Sequence, residues 1–100
     1  MQFMVLGYDG LDEGAPARRL AVREAHLGLA EARFEQGEFL YACAILDEEG
    51  RMRGSMIVCE FPSRPELDHW LKTEPYVIGN VWKKIEVLAV RVAPFCARKA

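Results

Sequence analysis

One hundred residues at a formal charge of −2, with 51% apolar side chains, allow one domain spanning residues 1–100, with a single two-layer core. Acids and bases are mixed along the chain without a basic run or terminal arm, which argues against a nucleic-acid partner. No apolar stretch approaches membrane-spanning length, and the opening Met1–Leu6 run lacks the basic region and cleavage site of a signal peptide. Cys43, Cys59 and Cys96 are odd in number and widely spaced with no C-x-x-C pair, so neither a metal site nor a thioredoxin-like motif is expected. A reducing cytoplasm fits them.

Phe3 to Asp9 reads as a strand, apolar at both parities, followed by a polar glycine-containing loop. Pro16 suits a first helical turn, and the helix runs to about Gln36 with Gly37 as its stop. Phe39 to Leu46 and Met52 to Phe61 read as strands joined by the Asp47–Gly50 turn, hence an antiparallel pair. A second helix follows Pro62. Ser63 and Glu66 have capping-box spacing, Leu67, Trp70 and Leu71 form an apolar stripe, and Pro75 marks the stop. Tyr76–Gly79 is a short connection, Val81 to Val92 a fourth strand, and the tail after Pro94 is either frayed or docked on a partner.

The order β-α-β-β-α-β predicts an α+β, ferredoxin-like protomer with a four-stranded antiparallel sheet. Right-handed crossovers put both helices on one face and leave the other bare. Yet Phe3, Val5 and Gly7 oppose Met4, Leu6 and Tyr8, and Met52, Met56 and Val58 oppose Ile57, Cys59 and Phe61, so both faces carry apolar residues where a wet face should be polar. The expectation is a homodimer whose sheets stack face to face.

At about 100° per residue, the first helix separates its charges by sign. Arg19, Arg23, His26 and Arg33 share one sector, and Glu24, Glu31 and Glu35 share another beside Leu20, Leu27 and Phe34. His26 has two readings: an ordinary surface or core imidazole, or a base. Its arginine neighbours favour the neutral, proton-accepting ring, and they could hold a carboxylate or phenolate. Arg23, one turn before His26, is the candidate for substrate charge. Asp9 is either turn chemistry or a residue that orients His26 or a substrate hydroxyl. Ser55, after Gly54 in a bulky strand, either points a hydroxyl into a pocket or makes room for the helix above. Glu74 and Tyr76 add a carboxylate and a phenol beside the helix stop. Trp82 either walls a pocket or fills the dimer interface. His69 is expected at the surface and Trp70 in the core.

These residues, in this order, resemble the YCII-related (YciI-like) family. The likeness rests on Tyr8-Asp9-Gly10, on Arg23-Glu24-Ala25-His26 and on the run from Gly50 through Arg53-Gly54-Ser55-Met56. It continues in Trp70-Leu71, Glu74-Pro75-Tyr76 and Val81-Trp82. The resemblance implies a ferredoxin-like protomer that dimerises into an α+β barrel, with a site built on a histidine and an aspartate. By position the histidine is His26. The family's aspartate falls on Glu74, a departure that keeps the charge and adds a methylene. The family's assigned activities include lyases that remove chloride from hydroxylated rings, and the wider superfamily holds muconolactone isomerase-like enzymes and small monooxygenases.

The functional expectation is a pocket for an anionic or phenolic small molecule, with cofactor-free acid–base chemistry, elimination or isomerisation. His26 would be the base and Asp9 or Glu74 would orient it. Arg23 would hold charge, and Ser55 and Tyr76 would donate hydrogen bonds. No P-loop or dinucleotide fingerprint points to a cofactor. The alternative is a non-catalytic ligand-binding or assembly module.

Overall fold

The computed structural model describes residues 1–97. Four strands, β1 (Gln2–Asp9), β2 (Phe39–Leu46), β3 (Met52–Glu60) and β4 (Trp82–Val90), form one sheet in the order β2-β3-β1-β4. Every neighbouring pair is antiparallel. With α1 (Ala15–Glu35) and α2 (Arg64–Leu71) as the crossovers, this is the ferredoxin-like α+β arrangement expected from the sequence.

Alternation along β1 decides the two faces. Phe3, Val5, Gly7 and Asp9 are buried, while the residues between them are half-buried. Across the ladder, Phe3 meets Cys59, Val5 meets Ile57 and Gly7 meets Ser55, all buried on the helix side. Met4 meets Val58 and Leu6 meets Met56 on the open side, where Tyr41 and Leu88 are exposed in the single chain. The core lies beneath α2. Leu67 and Trp70 are buried there, and the Trp70 ring packs edge-on to Phe39 at 5.2 Å and stacks on Phe61 at 5.7 Å. Burying each such side chain stabilises the fold by roughly 1.5–3 kcal/mol.

Local details differ from the sequence expectation. Ser63 sits at the N-cap of α2, but its hydroxyl makes no capping bond, so the capping box does not form. Pro75 does not close α2. The helix ends at Leu71, where the Thr73 hydroxyl donates to the Trp70 carbonyl at 2.7 Å. Pro75 opens a further helical turn, α3 (Pro75–Ile78), in place of an irregular connection. Proline suits a first helical position, where its missing N–H is not needed. β4 stops at Val90, and Pro94–Ala97 forms one helical turn, α4. The expectation for the remainder of the tail, residues 98–100, lies outside the described residues.

The basic sector of α1 faces inward. Ala15, Arg19 and His26 are its buried residues, whereas Leu20, Leu27 and Phe34 are exposed at 72%, 47% and 60%. A helix on a sheet normally buries its apolar stripe. Here the stripe under the helix is charged, and the sheet must answer it.

A candidate active site beneath the first helix

The answer comes as carboxylates at two-turn intervals. Arg19, His26 and Arg33, seven residues apart, each meet one. Arg19 Nη1 donates to both carboxylate oxygens of Asp9, at 3.0 and 3.1 Å. His26 Nδ1 bonds Glu74 Oε1, and Arg33 Nη1 donates to Glu38 at 2.9 Å. The first two pairs are sealed: Asp9, Arg19, His26 and Glu74 are all buried. A buried pair stabilises only when geometry and further hydrogen bonds offset desolvation. Arg19 meets this condition, since Nη2 also donates to Ser55 Oγ at 2.8 Å.

Each partner is placed by its element. Asp9 ends β1 on the helix side, and Ser55 follows Gly54 in β3. A side chain at Gly54 would come within 2.6 Å of the Gly7 carbonyl, so the glycine permits close backbone approach between β3 and β1. Glu74 is the N-cap of α3, where Oε1 also accepts from the Tyr76 N–H at 3.3 Å. The turn that holds Glu74 inserts Tyr76 beneath α1. The Tyr76 ring stacks on His26 at 4.0 Å and 18°, and the Arg19 guanidinium lies 4.5 Å from its centroid. Trp82 completes the layer, edge-on to His26 at 6.4 Å and 5.6 Å from Tyr76.

Burial dominates the electrostatics. It raises the Asp9 carboxyl above its ordinary value although Arg19 pulls the other way, and it raises the Tyr76 phenol against Arg19 and Arg23. A carboxylate can only accept from Nδ1, so Nδ1 carries a proton, which leaves Nε2 as the ring nitrogen able to exchange one. The buried polar side-chain atoms without a partner among the described residues are Arg18 Nε, Arg19 Nε and Trp82 Nε1. Two of these border the Tyr76 ring. An open cleft of about 630 Å³, lined by Tyr8, Asp9, Arg53, Lys83 and Lys84 among others, meets this layer at Asp9.

The structure therefore brings His26, Glu74, Asp9, Ser55 and Tyr76 into one buried layer. Glu74, rather than Asp9, holds the imidazole, and the longer side chain still closes the pair. Arg23 stays half-buried at the edge, without an ion pair among the described residues. The central arginine is Arg19. Its signal was present in the sequence, because Arg19 lies about 20° from His26 around the helix and Arg23 about 60°. Trp82 faces α1 rather than the open side. His69 is exposed and Trp70 buried, as expected.

The YCII-related domain matches residues 1–91, and the chain belongs to that family. No curated protein matches the sequence. Among solved structures, the fold is similar to 5-chloro-2-hydroxyhydroquinone dehydrochlorinase (TftG) from Burkholderia phenoliruptrix AC1100, in complex with 2,5-dihydroxybenzoquinone. That likeness has a TM-score of 0.79 at 18% identity, covering 95% of this chain and 98% of that one. A putative antibiotic biosynthesis monooxygenase from Deinococcus radiodurans is similar at TM-score 0.53 and 15% identity, over 93% and 95% of the two chains. Protein Atu4242 from Agrobacterium tumefaciens is similar at 0.52 and 17%, over 95% and 96%. At these identities the likenesses establish the fold. Among the described residues, no helix is long and apolar enough to cross a membrane.

Proposed function

We propose that this protein binds a hydroxylated aromatic or anionic small molecule in the layer between α1 and the sheet, and acts on it by cofactor-free acid–base chemistry. The observation that carries this reading is the His26–Glu74 pair, buried against Tyr76 with Arg19 on the same ring. Glu74 fixes the tautomer and steadies the imidazolium once formed, and Nε2 takes the proton. Arg19, with Tyr76, supplies positive potential and hydrogen bonds for an oxyanion. The likeness to a dehydrochlorinase supports elimination from a chlorinated hydroxyhydroquinone as the reaction to try first. Loss of HCl balances without an electron acceptor. Chloride leaves with the C–Cl pair and one hydroxyl proton is delivered to that carbon. A second goes to His26, and two C–O bonds become carbonyls.

The same reading includes a homodimer in a reducing cytoplasm. Met4, Leu6, Met56 and Val58 form an apolar band that a second sheet would cover, and the cysteines among the described residues are free thiols. Sedimentation at micromolar concentration should show a dimer; a monomer would remove this part.

Chloride release from 5-chloro-2-hydroxyhydroquinone tests the chemistry. The wild type should turn over, with a pH–rate profile whose acidic limb reports the base, and His26→Gln should lose at least about 100-fold in rate. One observation favours the alternative of a non-catalytic binding module: the buried ion pairs are already satisfied by one another. Ligand-induced thermal stabilisation without turnover would select that alternative.

A further inference from the structure

The pairing of β1 with β4 slips between Tyr8 and Asp9. Tyr8 faces Lys84, but Asp9 faces Trp82, so Lys83 is the extra residue of a bulge. In an unbroken ladder Lys83 would stand opposite Asp9 on the helix side. The bulge places an indole there instead, and re-aiming a side chain is what bulges do beside functional sites. Room for it comes from Gly7, where any Cβ would lie 2.3 Å from the Trp82 ring. The indole is 5% exposed, yet its Nε1–H has no acceptor among the described residues. The other tryptophan, Trp70, is buried to the same degree, but its nitrogen is not among these orphaned atoms. Leaving a buried donor unmet is costly, and here a bulge and a glycine are what bring the donor to this position.

We infer that Trp82 determines ligand specificity, its indole N–H donating to an oxygen of the aromatic ligand. This rests on the binding reading above. The ligand's ring would lie against Tyr76 and Trp82. The ligand would enter from the open cleft, which is lined by Asp9, the cross-strand partner of Trp82, and by Lys83 next to it in sequence.

The test is an NMR titration of the full chain, labelled at the indole nitrogens, with 2,5-dihydroxybenzoquinone. Trp70→Phe identifies which resonance belongs to which ring. The Trp82 N–H should move downfield on saturation while the Trp70 N–H stays in place. A second arm replaces Trp82 by 3-benzothienylalanine, which keeps the bicyclic shape and removes only the donor. Affinity should fall about tenfold, while the ligand-free melting temperature holds or rises because the orphaned donor is gone. Binding of equal strength by the analogue, or an unmoved Trp82 resonance in a wild type that binds, overturns this inference alone. A wild type that binds neither this quinone nor its hydroquinone overturns the binding reading as well.

Discussion

The helix-facing side of the sheet has two ends, each centred on a tryptophan. At one, Trp70 packs among the apolar side chains of Phe39, Phe61 and Leu67. At the other, Trp82 lies among Tyr76, His26 and the Arg19–Asp9 pair. Burial is equally complete at both. The apolar end stabilises by area removed from water. The polar end carries desolvated charge that only close pairing offsets. A fold can afford one such end when the other holds it together.

The sharpest way to break the comparison is to weaken each end and ask what is lost. Trp70→Ala should lower stability by about 4 kcal/mol, read by urea denaturation, through a cavity in the apolar end. Arg19→Met should lower it by about 3 kcal/mol, because Asp9 is left as a buried unpaired carboxylate. Adding Asp9→Leu to that variant should restore most of the loss. A double variant as unstable as the sum of the two single changes would show that the two residues are not coupled and would contradict this reading.

Gly7→Ala should lower stability by about 2 kcal/mol, since the new methyl runs into the Trp82 ring. The partly exposed Leu27→Gln should move it by under about 0.5 kcal/mol.

The smallest effect is in pH. Asp9 has a folded pKa above its ordinary 3.8, so the folded state holds that proton more tightly than the unfolded state. The resulting stability is complete below pH 3.8 and is lost as pH rises through the raised folded value. The stability of the wild type minus that of Asp9→Asn should therefore fall as pH rises from about 4 toward neutrality. A difference that stays flat or climbs would show that Arg19 outweighs desolvation.

Much of the fold was legible in the chain. The glycine at 37, the Asp47–Gly50 turn and the apolar runs define four strands and two helices, and their order dictates the topology. The orientation of α1 was not legible, because periodicity reports stripes without saying which is buried. Only contact with Asp9 and Glu74 shows that the basic stripe turns inward. His26 and Glu74 were found as a pair because the family likeness aligned them. Arg19 was passed over for Arg23, which is nearer in sequence but farther around the helix. Trp82 was left open because its aim depends on a bulge, and a one-residue slip leaves no mark in composition or spacing.

The central claim is that the polar end is a ligand site built on His26. Isothermal titration of 2,5-dihydroxybenzoquinone into wild type and His26→Gln near pH 7 tests it directly. The account predicts saturable binding to the wild type and at least about tenfold weaker binding to a variant that melts at a similar temperature. Equal affinity for both proteins would contradict it.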